Sequence, residues 1–164
     1  MNLFEIIFQY FWLLAIATGI FNTWVIRQRI QPSMQDNPAL APGYSKLLRG
    51  YGFMMIFPWI VMGIGIVFGG IPSMIYYLYP RIGNLNVWVW WGIYLLINGY
   101  ISAWVLWQGG ADMLITHPGF LKGNPTRTQT IKLYALLMLV GSVAVTVILF
   151  SQVPTDLPPL NNFQ

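Results

Sequence analysis

Cysteine is absent from this sequence, and histidine occurs once, as His117. Without cysteine there are no disulfides, no thiolate-held zinc or iron–sulfur cluster, and no covalently attached c-type haem. One histidine rules out a bis-histidine haem within the chain and the histidine-rich sites of membrane desaturases and hydroxylases. Asp112, five residues before His117, adds one further ligand type, too few to hold a metal. In "DMLITHPGFLKGNP" the histidine reads instead as a turn residue ahead of Pro118-Gly119.

Charge is scarce too. Lys and Arg total 8, Asp and Glu total 4, and together they make up 7 % of the chain, against roughly a quarter in an average soluble domain. The net charge of +4 does not suggest nucleic-acid binding, because the basic residues flank apolar runs. They read as topology signals and as partners for anionic lipid headgroups. Enzyme readings fail on inventory: no paired intramembrane Asp, no Ser–His arrangement, and no phosphate loop following a strand. Chemistry at the loops would have to rely on Asp36, Asp112 and His117. No catalytic residue, metal or cofactor is expected.

Apolar residues are abundant, at 57 %, and this composition predicts an integral membrane protein. Four runs approach the ~20 residues that a helix needs to cross a ~30 Å hydrocarbon core. They cover about 3–26, 47–69, 85–107 and 131–150. Helices are required because backbone facing lipid must satisfy its own hydrogen bonds. Ala15-Ile16-Ala17 imitates a signal-peptide cleavage site. Glu5 and the length of the run argue instead for a retained first helix.

Seven basic residues lie in two connections: Arg27, Arg29, Lys46 and Arg49 in the first, Lys122, Arg127 and Lys132 in the other. The opposite side holds Arg81 alone. This asymmetry places both basic loops in the cytoplasm and both termini outside, as in a bacterial inner membrane. Trp and Tyr residues gather at both ends of the spans, as interfacial belts do.

Pro58 removes an N–H and frees the Met54 carbonyl, so a kink is expected in the second helix. Gly65 and Gly69 form a small-xxx-small pair, and Gly70 with Pro72 ends the run. The amphiphilic stretch 73–79 is then expected as a short helix lying along the outer interface. A second short interfacial helix is expected at the inner side, around Met113–Ile115.

"GIFNTWVIRQ" at 19–28 has a counterpart eighty residues on, "GYISAWVLWQ" at 99–108. Gly, Trp, Val and Gln recur in register, Pro38 meets Pro118, and Gly43 meets Gly123. After a further shift of six, Lys46-Leu47 meets Lys132-Leu133. With both halves running outside to inside and back, the pattern predicts two tandem hairpins forming a parallel repeat. Helices one and two should then superpose on three and four.

Polar groups within spans are the candidate functional residues, because each costs free energy unless partnered. Glu5 and Gln9 share a face near the outer end of the first helix. Asn98 and Ser102 share one within the third. Together they mark a candidate intramembrane polar site; the plainer alternative is a snorkelling carboxylate and interhelical hydrogen bonds. The reading that best fits this inventory is a non-catalytic accessory, assembly or scaffold subunit of a membrane complex. Its partners would be the bilayer and either other membrane proteins or copies of itself. The alternative is a small homo-oligomeric transporter or channel coupled through Glu5.

Overall fold

The computed structural model describes residues 3–152, and over that range it contains helices and no strand. Five α-helices follow in order: α1 Leu3–Asp36, α2 Ala41–Val67, α3 Leu85–Trp107, α4 Gly110–Thr116 and α5 Thr128–Ser151. Three short 3₁₀ segments lie between them, Pro38–Leu40, Met74–Leu78 and Pro80–Ile82. The segments Leu3–Asp36, Pro38–Val67, Leu85–Trp107 and Thr128–Ser151 are long and apolar enough to cross a membrane.

The third helix matches the run read from the sequence, and its start is explained locally. The Asn84 side chain accepts a hydrogen bond from the Asn86 N–H at 2.8 Å, satisfying one of the orphan donors of the first turn. The first helix continues ten residues beyond the apolar run, through Pro32. Ile26, Ile30 and Met34 recur every four residues along that extension. Ile26 and Ile30 are buried, and Met34 packs on the same cluster. Tertiary burial of this stripe outweighs the helix-breaking tendency of a proline near the end.

Two apolar clusters form the core, one at each end of the molecule. At the basic-loop end, Ile26 and Ile30 of α1 meet Tyr44 and Leu47 of α2, Val105 of α3, Leu114 of α4 and Ile131 of α5. At the other end, Met62 of α2 meets Ile71, Tyr76 and Tyr77 of the connection and Val87, Trp90 and Trp91 of α3. α1 packs chiefly on α2, α3 on α5, and α2 on α3. Pro58 is buried within α2, which continues on both sides of it.

The stretch 73–79 takes a different form from the flat amphiphilic helix expected of it. It is a 3₁₀ segment at Met74–Leu78 whose two tyrosines are buried. The Tyr77 hydroxyl donates to the Met62 carbonyl at 3.1 Å, and the Trp91 indole donates to the Tyr77 carbonyl at 2.8 Å. The segment therefore turns its rings inward as a plug between α2 and α3. Gly65 and Gly69 make this possible. A Cβ on Gly65 would collide with the Tyr77 hydroxyl, and one on Gly69 with the Asn86 amide. This small-residue pair is filled from within its own chain.

At the other end, α3 stops at Gly109, whose φ of 77° lies in the left-handed region that glycine adopts without strain. The chain turns there into α4, a short helix over the stretch where one was expected, around Met113–Ile115.

Candidate functional site

Glu5 is exposed in the first turn of α1, and Gln9 is half-buried one turn further on. Asn98 is half-buried in α3, and its amide donates to the Tyr94 carbonyl at 2.8 Å. That bond stays within one helix, where the sequence suggested one between helices. Ser102 is 1 % exposed, and its Oγ is a buried atom with no hydrogen-bond partner. The two pairs lie on α1 and α3, neither of which is the other's main packing partner.

Four hydroxyls in the spans follow the pattern of Asn98. Thr18 donates to the Leu14 carbonyl and Thr23 to the Gly19 carbonyl, both at 2.8 Å. Ser142 donates to Leu139 at 2.8 Å, and Thr146 to Ser142 at 2.7 Å. Each hydroxyl satisfies itself on the preceding turn of its own helix, a common use in apolar surroundings. Among the described residues no three His, Asp or Glu side chains come together in a way that could hold a metal ion.

The densest polar arrangement lies at the basic-loop end, around a residue that the sequence marked only as a turn. His117 ends α4 and is buried. Its Nδ1 lies 2.7 Å from the Met113 carbonyl and 3.1 Å from the Thr116 hydroxyl. A carbonyl only accepts, so Nδ1 carries a proton and donates to Met113. Nε2 abuts Gly43, where a Cβ would collide with it. The Tyr44 ring meets the imidazole edge-to-face, with centroids 4.8 Å apart, and the Tyr44 hydroxyl donates to the Pro118 carbonyl at 2.7 Å.

The loop after His117 is therefore clamped onto the start of α2. Gly119 donates its N–H to the Asn124 side chain at 2.8 Å and lies beside the Arg29 carbonyl. The two basic connections, read as separate loops, form one packed layer. No local sequence signal identifies this, because Gly43 and Tyr44 stand seventy-four and seventy-three residues before the histidine. Only the pairing of a bare glycine with a neighbouring tyrosine at 43–44 hints at a docking point.

At the opposite end, aromatic rings pack in series. Trp90 and Tyr94 stack with centroids 5.6 Å apart, and Trp90 meets Trp91 and Tyr77 edge-on at 5.2 and 5.6 Å. Burial raises the phenol pKa of both Tyr76 and Tyr77, which lie in the connection outside the spans. No family model, curated protein or solved structure matches the chain.

Proposed function

We propose that this chain is a non-catalytic integral membrane protein that serves as an accessory, assembly or scaffold subunit of a larger membrane complex. The observation that carries this reading is the fate of the polar side chains in the spans. Thr18, Thr23, Asn98, Ser142 and Thr146 each hydrogen-bond to a carbonyl of their own helix. A chain arranged in this way offers packing surfaces rather than a reaction site or a translocation path.

Membrane residence is supported by where the apolar surface lies. Only 6 % of the most apolar stretch of α1 is buried, and 11 % of that of α5. In water such helices would bury one apolar stripe and expose a polar one. Here Leu14, Phe21, Leu137 and Val147 all face outward, as lipid or a partner helix would require. The basic asymmetry supports an orientation in a bacterial inner membrane with both basic loops facing the cytoplasm and anionic headgroups around them.

The tandem repeat is part of the same proposal, and element boundaries support it. Under the offset of eighty, α4 falls on residues 30–36, the last two turns of α1. Under the further shift of six, α5 falls within α2. On this reading Gly109 breaks in the second hairpin a helix that remains continuous in the first.

One observation favours the alternative of a small homo-oligomeric transporter or channel. The Ser102 hydroxyl is buried within α3 without a partner, as a group waiting for a substrate or a second copy would be. The composition of the particle isolated from native membranes in mild detergent separates the two. Different proteins in fixed ratio support the subunit reading, and copies of this chain alone support the alternative.

A further inference from the structure

A cavity of about 170 Å³ opens between α4 and the loop leading to α5. Leu114, Leu121 and Pro125 form its apolar walls, and His117, Asn124 and Thr126 supply polar groups. A water occupies about 30 Å³ of liquid, so the space equals some five or six waters. That suits a small group such as a phosphate with a short polyol stub.

The donors available favour an anion. Asn124 uses its side-chain oxygen to accept from Gly119, which leaves its NH₂ group for a ligand. The Thr126 hydroxyl has no partner among the described residues. Lys122 and Arg127 stand next in sequence to lining residues and are exposed. The nearby carboxylate on α4, Asp112, accepts from the Thr128 hydroxyl at 3.0 Å. The His117 Nδ1 proton is committed to Met113, so that nitrogen is not a donor for a ligand.

We propose that this cavity seats the phosphate-bearing headgroup of an anionic phospholipid. The inference rests on the reading that this end of the helices meets a headgroup layer. Apolar walls take the glycerol stub, Asn124 and Thr126 hydrogen-bond the phosphate oxygens, and Lys122 with Arg127 supply the opposite charge. One lipid held here would pin the α4–α5 loop to the layer formed with the start of α2.

The test is native mass spectrometry of the purified full chain, titrated with phosphatidylglycerol or phosphatidylcholine. The expected result is selective retention of one phosphatidylglycerol per chain. Lys122→Gln with Arg127→Gln should weaken it about thirtyfold, and Thr126→Val should weaken it severalfold. Arg27→Gln with Arg49→Gln, equal in charge removed, should leave it unchanged. Equal weakening by both double variants, or no effect of Thr126→Val, would overturn the site in favour of diffuse attraction. Displacement by millimolar inorganic phosphate would also overturn it, by making the site one for a free anion. Alkaline carbonate extraction keeps the two levels distinct. A chain that resists extraction yet shows no selectivity contradicts this inference alone, whereas an extracted chain contradicts the membrane reading beneath it.

Discussion

Three side chains give the account its most direct handles at the scale of single residues. Gly43 faces His117 Nε2 with no room for a methyl group. Gly43→Ala should therefore cost about 1–3 kcal/mol of stability, the usual range for overpacking. Thermal unfolding in detergent would show it, and combining the change with His117→Ala should cost little beyond His117→Ala alone. Ser102 presents the opposite case, because its buried hydroxyl has no partner. Ser102→Ala should be neutral or slightly stabilising, since it removes an unsatisfied polar group. A clear loss of stability would mean that the hydroxyl is held by something outside the chain. Tyr77 couples stability to pH. Its phenol pKa is raised above the ordinary 10.0 by burial, so the folded state keeps the proton that the unfolded state releases. Stability from this group is present in full below about pH 10 and declines as the pH climbs beyond it. Tyr77→Phe should flatten that alkaline decline in a pH series of unfolding midpoints, at the cost of about 1 kcal/mol for the bond to Met62.

At the scale of elements, Asn98 shows how far a helix can absorb its own polar residue. Its bond to Tyr94 lies within α3, so Asn98→Leu should change detergent stability by no more than about 0.6 kcal/mol, the average for a membrane hydrogen bond. A loss several times larger would require a partner on another helix. Orientation can be tested element by element because the chain has no cysteine. With single cysteines introduced at Arg81 and Lys122, an impermeant maleimide on intact cells should label position 81 and spare position 122. The reverse pattern would invert the proposed topology.

Much of this architecture is legible in the sequence. The four apolar runs become four long helices, and α3 keeps its limits because Asn84 caps it and Gly109 ends it. The ends were less legible. α1 runs on through Pro32 because Ile30 and Met34 find a core supplied by distant residues. The stretch 73–79 turns inward because Gly65 and Gly69 leave room for Tyr77 and Asn86. His117 stands ahead of the turn at Pro118-Gly119, as read, but its packing was not legible for the same reason, since it is made by Gly43 and Tyr44. Local patterns report length and polarity. They do not report which loop closes over which helix.

The whole molecule is a set of apolar helices tied together at both ends, by an aromatic plug at one and by the His117 layer at the other. Between these ties the polar side chains of the spans largely satisfy themselves, and the outer surfaces of α1 and α5 stay apolar. Such a body is suited to being packed against, which is the central claim. Isolation from native membranes in mild detergent, with the mass and composition of the particle determined, tests it most directly. The account predicts a particle containing a defined set of different proteins with this chain in fixed ratio. A particle built only from copies of this chain would contradict it.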